Sequence, residues 1–345
     1  MLAKNLIPFA ALASAIRTEP VLKPGLGIAR KDGLTVTESE LDNMQFFMEQ
    51  SASVYCNYKQ AAGDFVKCDR EGTIGGKCPL IQDDGVQILW IYVGPVTQVA
   101  AYIGINNVRK QIVFAARGTL TEGETNVNFN FWFKPYPGVD GAQVHTGFYD
   151  AWNEMATGGA VKAISDAVAA NPGYKVVATG HSLGGALASM AAASLRDTGF
   201  LVDLYTYGAP RVGNAAFNHF LVGLPGANYR VTNLDDPIPR VPFLCWGYRS
   251  ISPEYWISQN FTGPDYPLDD IKVCEGDANL ECNGGTTGLN IYSHGLYLLR
   301  SACLYPEDIP HSEEATKTWL TGLTQLNDEQ RPFSGDDLKY CLLGV

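Results

Sequence analysis

The stretch Tyr174-Lys175-Val176-Val177-Ala178-Thr179-Gly180-His181-Ser182-Leu183-Gly184 places a Gly-x-Ser-x-Gly pentapeptide directly after a run typical of a buried strand. The residues from Gly185 to Ala193 are mostly small, which predicts a helix that packs closely on a sheet. A serine at such a strand-to-helix turn is held with its hydroxyl exposed, and the glycines avoid clashes in the tight bend. The pentapeptide alone also arises by chance in a chain with 36 glycines, so the flanking strand and helix carry the interpretation. We interpret Ser182 as a nucleophile with the positive end of the helix beside it.

The composition is that of an acidic chain able to form a packed core. Its 345 residues are 46% hydrophobic, and its formal net charge is −11. This charge argues against nucleic acid as a partner and against electrostatic adsorption to anionic lipid. We therefore expect any contact with lipid to be mainly hydrophobic.

The N-terminus has the pattern of a secretory signal. Lys4 precedes an apolar run from Leu6 to Leu12, and Ala-x-Ala sequences follow at 11–15. This run is too short to span a bilayer, and no later run reaches about 18 uninterrupted apolar residues. We predict a signal peptide over residues 1–15, a propeptide or flexible arm over residues 16–38, no integral membrane segment, and a secreted, extracellular protein.

Strand-like and helix-like runs alternate along the middle of the chain. Strands are predicted at Gln87–Val93, Gln98–Ile105, Gln111–Ala116, Tyr174–Thr179, Leu201–Tyr207 and Asn228–Val231, and helices at Ser39–Tyr58, at Trp152–Ala170 and after Ser182 as far as Arg196. This alternation predicts an α/β protein with a mainly parallel central sheet and helices on both faces. We expect a single catalytic domain over residues 39–303. Residues 304–345 then form an acidic tail, for which an inhibitory or processed role is a hypothesis.

Eight cysteines in an exported chain predict disulfides, although eight cysteines allow 105 pairings. Cys68 and Cys78 flank one polar, glycine-rich loop, and Cys274 and Cys282 flank another, so each pair is placed to close a local ring. A zinc site is the weaker interpretation, because neither pair is a Cys-x-x-Cys motif and no histidine pair has ligand spacing. We expect no metal.

One sequon for N-linked glycosylation is present, Asn260-Phe261-Thr262. In an exported chain it predicts a surface loop that is glycosylated at Asn260.

A serine nucleophile needs a histidine base, and that histidine needs a carboxylate to fix its tautomer. In hydrolases built on this elbow the chain order is serine, acid, histidine, which excludes His145 and His181 as the base. Of the later histidines, His219 lies in a predicted helix and His311 in the acidic tail. His294 follows a glycine-rich loop and begins an apolar segment, a boundary position that suits a base reaching toward a serine. We predict His294 as the base.

The acid is expected near the end of the Asn228–Val231 strand, which runs into a proline-locked turn carrying Asp235 and Asp236. Triad acids occupy such strand ends, but aspartate before proline is also a common turn former. The pattern alone does not rank the two aspartates.

Five segments, including the opening pentapeptide, occur in order along the chain: Arg117-Gly-Thr, Gly180-His-Ser-Leu-Gly-Gly-Ala, Tyr207-Gly-Ala-Pro-Arg-Val-Gly-Asn, Asp236-Pro-Ile-Pro-Arg-Val-Pro and Gly247-Tyr-Arg-Ser-Ile-Ser-Pro-Glu-Tyr-Trp. Together they resemble the secreted fungal lipases of class 3, which include relatives that act as feruloyl esterases. The resemblance extends from about Leu41 to Cys303. It implies an α/β-hydrolase fold and hydrolysis of carboxylic esters without a cofactor.

The resemblance also assigns site residues. It implies Asp236 rather than Asp235 as the triad acid, His294 as the base, and Thr119 with the backbone N–H of Leu183 as the oxyanion hole. Two such donors can converge on one oxygen.

For the cysteines, the resemblance implies a disulfide between Cys56 and Cys303, and it supports the pairs Cys68–Cys78 and Cys274–Cys282. Cys245 and Cys341 remain. Either they bond to each other, or Cys341 is free or forms an intermolecular bond.

One segment departs from the family pattern. Lipases of the family carry a short amphipathic lid helix after the oxyanion residue, whereas Leu120–Val127 is polar here. From Glu122 to the lid-segment end at Val127, two glutamates, a glycine and polar residues such as Thr125 stand where a lid would show an apolar stripe, so we do not expect strong interfacial activation. Trp132 and Phe133 follow, and we expect them to line an acyl or aryl pocket.

The leading hypothesis is a secreted, monomeric serine lipase that cleaves triacylglycerol through an acyl-enzyme on Ser182. Its partner would be a lipid or other ester substrate, including one at an oil–water interface. A feruloyl, short-chain or mono- and diacylglycerol esterase is the alternative, favoured by the polar lid segment. An inactive binding protein with a hydrolase fold is a remote alternative, because Ser182 and His294 are both present.

Overall fold

The computed structural model describes residues 35–68, 77–119, 131–259, 266–298 and 303. The described residues belong to one unit, which begins at residue 35. The helices are α1 (Glu38–Asn57), α2 (Pro79–Asp83), α3 (Thr146–Thr157), α4 (Ala160–Ala170), α5 (Leu183–Asp197), α6 (Ala215–Gly223) and α7 (Ile291–His294). The strands are β1 (Gln87–Val93), β2 (Ala100–Asn106), β3 (Gln111–Ala116), β4 (Phe133–Pro135), β5 (Gln143–His145), β6 (Lys175–His181), β7 (Val202–Tyr207), β8 (Asn228–Asn233), β9 (Glu254–Ile257) and β10 (Ile271–Cys274).

Eight of these strands form one sheet in the order β1-β2-β3-β6-β7-β8-β9-β10. The strands β3, β6, β7, β8 and β9 are parallel, and antiparallel pairs complete both edges. The prediction of a mainly parallel sheet is therefore confirmed. Because the carboxyl ends of parallel strands share one edge, the segments after β3, β6, β7 and β8 come together there.

Side chains of the inner strands alternate between two apolar cores. On β3, Ile112, Phe114 and Ala116 pack with residues of α3, α4 and α5, whereas Val113 and Ala115 pack on the opposite face with residues of α1. Both faces of the sheet are thus covered, which explains why these strands are almost continuously apolar in sequence.

Helix α1 starts at a capping box. The hydroxyl of Thr37 accepts the backbone N–H of Glu40 at 3.2 Å, and the Glu40 carboxylate accepts the backbone N–H of Thr37 at 2.9 Å. The helix differs by one residue at each end from the one predicted at Ser39–Tyr58.

The single helix predicted over Trp152–Ala170 is wrong. The chain forms α3 and α4 instead, and the break falls at Gly158-Gly159, where Gly159 adopts a left-handed φ of 103°. The short strands β9 and β10 were not predicted, because four residues carry little periodicity and their pairing partners decide their conformation.

Three disulfides join Cys56 to Cys303, Cys68 to Cys78, and Cys274 to Cys282. The sulfurs of Cys56, Cys68 and Cys303 lie within 4.8 Å of one another, but each is bonded to another sulfur and is not a thiolate ligand. Cys245 is also disulfide-bonded.

Several predictions fall on residues outside the described ranges: the signal peptide at 1–15, most of the arm at 16–38, the lid residues Glu122, Thr125 and Val127, the sequon at Asn260, and the tail at 304–345 with Cys341. Within the described ranges, no helix has both the length and the apolar character that a membrane span requires.

Candidate active site

Ser182 lies between β6 and α5 in a strained backbone conformation, with φ 58° and ψ −131°. Its backbone N–H donates to the carbonyl of Tyr207 at the end of β7, at 2.9 Å. A Cβ added to Gly180 would collide with the backbone of Gly184, so the first glycine of the pentapeptide is required by close approach. The sharp turn expected from the sequence is therefore present, and it fixes Ser182 at the carboxyl edge of the sheet.

His294 and Asp236 meet at the same edge, although 58 residues separate them. Nδ1 of His294 lies 2.8 Å from Oδ2 of Asp236, whose side chain is fully buried. A carboxylate only accepts hydrogen bonds, so Nδ1–H is the donor, and in the neutral imidazole Nε2 is left free of a proton. This is the tautomer that a general base needs.

Two further donors hold the Asp236 carboxylate, and a third binds the backbone carbonyl of the same residue. Oδ1 accepts the backbone N–H of Ile238 at 2.9 Å, and Oδ2 accepts the hydroxyl of Tyr297 at 2.5 Å. The Asn283 side chain donates to the carbonyl oxygen of Asp236 at 3.0 Å. Tyr297 is completely buried, and burial followed by the charge of Asp236 raises the pKa of its phenol well above the usual value, so the hydroxyl remains a donor.

His181, which the chain-order rule excluded as a base, is hydrogen-bonded to the backbone of His294. Its Nε2 lies 2.7 Å from the backbone carbonyl of His294, and its Nδ1 lies 2.9 Å from the hydroxyl of Tyr55. Burial, followed by the charge of His294, lowers the pKa of His181 well below its ordinary value, so the ring is neutral. Since the carbonyl only accepts, Nε2–H donates to it and Nδ1 accepts from Tyr55.

The rings of His181 and His294 are 4.5 Å apart between centroids. Because His181 immediately precedes Ser182, this contact places the imidazole of His294 next to the elbow. Gly208, after β7, leaves room for the pair: a Cβ there would lie 2.8 Å from Nδ1 of His294 and 3.0 Å from Oδ2 of Asp236.

Of the residues predicted for the oxyanion hole, Leu183 directly follows Ser182, and Thr119 follows a glycine that lies against Ser182. Leu183 is the first residue of α5, so its N–H belongs to the first turn, where helical N–H groups have no acceptor within the helix. Thr119 follows Gly118, and a Cβ on Gly118 would lie 3.0 Å from the Cβ of Ser182. The loop after β3 therefore passes directly against the nucleophile.

An aromatic group lies on the segments 131–133 and 243–248. The ring of Phe133 stacks on Tyr248 with centroids 4.2 Å apart, and Phe131 stacks on Trp246 at 4.9 Å. Trp132 is 37% exposed, whereas Phe133 is half-buried. Trp132 and Phe133, predicted to line a pocket, are thus parts of an aromatic surface that is open on the Trp132 side.

The other histidines have different surroundings. His145 is fully buried, and its Nδ1 accepts the backbone N–H of Phe148 at 3.3 Å at the start of α3. His219 is exposed on α6, with Nε2 3.8 Å from a carboxylate oxygen of Asp277. The structure brings neither of them to the Ser182 elbow.

Sequence reasoning missed the supporting groups Tyr297, Asn283 and Gly208, and it gave His181 no role. The spacing of three residues between His294 and Tyr297 gave no reliable signal, because the helix α7 ends at His294 and Tyr297 lies beyond it. No sequence signal pointed to Asn283, because 47 positions separate it from Asp236.

Comparisons with known proteins agree with this arrangement. The family model described as lipase (class 3) matches residues 113–246. The secreted mono- and diacylglycerol lipase 1 of Fusarium solani is 41% identical over 334 residues, covering 95% of this chain and 98% of that protein. The secreted mono- and diacylglycerol lipase A of Penicillium cyclopium is 34% identical over 256 residues, covering 73% of this chain and 81% of that protein. The crystal structure of the mono- and diacylglycerol lipase from Aspergillus oryzae matches with a TM-score of 0.70 at 32% identity, covering 78% of this chain and 99% of that one.

The parallel sheet, the elbow at its carboxyl edge and these structural matches define an enzyme of the α/β-hydrolase fold. The chain belongs to the class 3 lipase family. It is accordingly a carboxylic ester hydrolase, and it is secreted, as expected from the sequence.

Proposed function

We propose that this lipase hydrolyses the ester bonds of mono- and diacylglycerols through an acyl-enzyme on Ser182. The observation that carries the mechanism is the 2.8 Å contact between Nδ1 of His294 and the fully buried carboxylate of Asp236, next to the Ser182 elbow. The glyceride class is supported by the names of the relatives from Fusarium solani, Penicillium cyclopium and Aspergillus oryzae, all mono- and diacylglycerol lipases. These names favour the mono- and diacylglycerol alternative over the triacylglycerol hypothesis.

In the first half of the reaction, Oγ of Ser182 attacks the ester carbonyl carbon while Nε2 of His294 takes the hydroxyl proton. The negative charge moves to the carbonyl oxygen, where the N–H of Leu183 and a donor of Thr119 stabilise it. Removing one such donor typically costs about 3 kcal/mol of transition-state stabilisation. When the tetrahedral intermediate collapses, the glycerol oxygen leaves with the proton from Nε2, and the acyl group stays on Ser182.

In the second half, water attacks the acyl-enzyme and gives its proton to Nε2. The fatty acid is released as Ser182 recovers its proton. Asp236 stays ionised throughout and stabilises the imidazolium that forms in each half. No step requires a cofactor.

The test compares the wild type with Ser182→Ala on emulsions of diolein, monoolein and triolein and on methyl ferulate. Ser189→Ala is the matched control, because Ser189 lies on the same helix and its hydroxyl donates to the carbonyl of Gly185. We expect Ser182→Ala to lose about a millionfold in kcat and Ser189→Ala to keep the wild-type rate within about threefold.

The wild type is expected to act fastest on diolein and monoolein. Hydrolysis that survives in Ser182→Ala would overturn the mechanism. Triolein as the fastest substrate would overturn the partial-glyceride preference alone, and methyl ferulate as the fastest would replace the lipid substrate by an aromatic ester.

A further inference from the structure

Cys245 is an exposed residue in a short 3₁₀ turn, Leu244–Trp246, and it is disulfide-bonded. The sequence contains eight cysteines, and the six others in the described ranges are bonded to one another in three pairs. Cys341 is the cysteine that remains. We propose that Cys341 bonds to Cys245 and that this bond docks the apolar C-terminal end of the chain on the aromatic surface beside the active site.

The receiving surface, here called the aromatic rim, surrounds the Cys245 turn. Phe243 packs edge-on against Trp246 with ring centroids 4.9 Å apart, and Trp246 stacks on Phe131. Phe131 in turn contacts Trp132, whose rings are 5.9 Å away. The rim therefore consists of the partly exposed rings of Trp132, Phe133, Phe243 and Trp246, which lie on the buried rings of Phe131 and Tyr248.

Two segments that carry the rim adjoin active-site segments along the chain. Cys245 follows Asp236 by nine residues in the segment that leaves the carboxyl end of β8. Phe131 and Trp132 are the first described residues after the segment that begins at the loop beside Ser182. A chain bonded to Cys245 is thus attached nine residues along the chain from the proposed triad acid.

The length of the tail permits this bond. Cys303 is anchored to Cys56 at the end of α1, and residues 304–340 connect it to Cys341. Thirty-seven extended residues span about 120 Å. The radius of gyration of a domain of this size is about 18 Å, so the tail reaches any part of its surface.

The position of Cys341 explains why this end, rather than the middle of the tail, is the occupant, because residues 342–345 directly follow the bonded cysteine. The sequence from Tyr340 to Val345 is Tyr-Cys-Leu-Leu-Gly-Val, without a charged side chain. Leucine and valine side chains lose contact with water when they pack on aromatic rings. A disulfide also holds a short flexible segment at a local concentration of about millimolar or more. Residues 342–345 therefore occupy the rim even if their packing on it is weak.

Docked in this way, the C-terminal end competes with acyl chains for the rim and lowers the rate on glycerides. This effect on rate rests on the proposed function, whereas the disulfide and the docking do not. Small soluble esters that need no apolar surface should be hydrolysed at the same rate with or without the tail.

The first experiment maps the bond. The full secreted chain is digested without reduction, and the peptides are identified by mass spectrometry. We expect one linked pair that contains Cys245 and Cys341. A different partner for Cys245, or an unbonded Cys341, would overturn the proposal without affecting the proposed function.

The second experiment measures docking and rate in two variants. Cys341→Ser removes the tether, and a truncation after Cys341 keeps the tether but removes Leu342–Val345. Both should raise the rate on emulsified diolein at least threefold, and both should leave the rate on p-nitrophenyl acetate within twofold. The double variant Cys274→Ser/Cys282→Ser is the matched control, because it removes another disulfide and should give no increase on diolein.

An unchanged diolein rate in the truncated chain would overturn docking of the C-terminal end, even if Cys341→Ser does not fold. A wild-type chain that hydrolyses neither diolein nor p-nitrophenyl acetate would instead contradict the proposed function. The two failures are therefore distinguishable.

Discussion

The hydroxyl of Tyr297 donates a hydrogen bond to Oδ2 of Asp236 at 2.5 Å, and the same oxygen accepts a hydrogen bond from Nδ1–H of His294 at 2.8 Å. One buried oxygen therefore receives two donors, one from the base and one from Tyr297, whose ring also packs edge-on against His181 with centroids 5.7 Å apart. The phenol offsets part of the cost of burying the carboxylate and fixes the direction in which its oxygen faces the imidazole. Tyr297 is thus a positioning residue for the proposed base.

Tyr297→Phe is expected to lower kcat about tenfold with little change in KM, because the hydroxyl orients the acid but does not touch substrate. A hydrogen bond to a charged group contributes about 1.5 to 3 kcal/mol to stability, and we expect a loss of this order in urea unfolding. Tyr207→Phe is the matched control, since its buried hydroxyl donates to the carbonyl of Met44 instead. It should lose about 1 kcal/mol of stability and keep kcat; equal losses of kcat in both variants would show that Tyr297 has only a structural role.

Asp236→Asn and Asp235→Asn separate the two neighbouring aspartates. Asparagine at 236 would no longer fix the Nδ1–H tautomer or stabilise an imidazolium, so kcat should fall about 10⁴-fold. Asp235 is half-buried, and its backbone carbonyl accepts from Arg240, a bond that asparagine keeps. Its variant should retain kcat within about threefold. Steady-state kcat values of both variants on a soluble ester test this assignment. A larger loss of kcat in Asp235→Asn than in Asp236→Asn would assign the triad acid to Asp235.

Gly208→Ala tests the space behind the proposed base. Gly208 has φ 59°, and the new methyl would lie 2.8 Å from Nδ1 of His294. Gly199→Ala is the matched control, because Gly199 also has a left-handed φ, 98°, but no atom would lie within 4 Å of the new methyl. Both variants should lose about 1 kcal/mol of stability to backbone strain, and only Gly208→Ala should lose kcat, by at least tenfold. A normal kcat in folded Gly208→Ala would show that the pair tolerates displacement.

His181 should make stability depend on pH. Its pKa in the folded chain lies below the unfolded value of about 6.5, so the unfolded chain binds a proton first as the pH falls. The free energy of unfolding should therefore decrease below about pH 6.5, by up to about 1.4 kcal/mol per pH unit from this residue, until the folded pKa is reached.

Urea unfolding between about pH 7.5 and pH 4.5 measures this dependence. His181→Gln retains a donor for the carbonyl of His294 and should show a shallower slope, whereas His219→Gln, at an exposed position, should keep the wild-type slope. Parallel slopes for His181→Gln and the wild type would contradict the assignment.

The fold could be predicted from the sequence because its inner strands are buried on both faces. Runs such as Gln111–Ala116 are apolar at nearly every position, so their composition alone predicted buried strands. In the structure, the strand β3 has the same bounds as predicted. The break at Gly159 and the strands β9 and β10 were missed for the opposite reason. A left-handed glycine and a four-residue strand are decided by neighbours that lie far away in sequence.

By itself, the sequence determined that a serine stands at a strand-to-helix elbow in a parallel sheet, because local spacing and residue size dictate that turn. It also favoured His294 among three later histidines as the base and limited the acid to two adjacent aspartates, of which the family resemblance implied Asp236. Only the tertiary structure decided that Asp236 faces His294, that Tyr297 and His181 support them, and that Gly208 leaves the room they need. These contacts join residues 58, 61 and 113 positions apart, and such distances along the chain are closed only when β6, β7 and β8 align their carboxyl ends at one edge of the sheet.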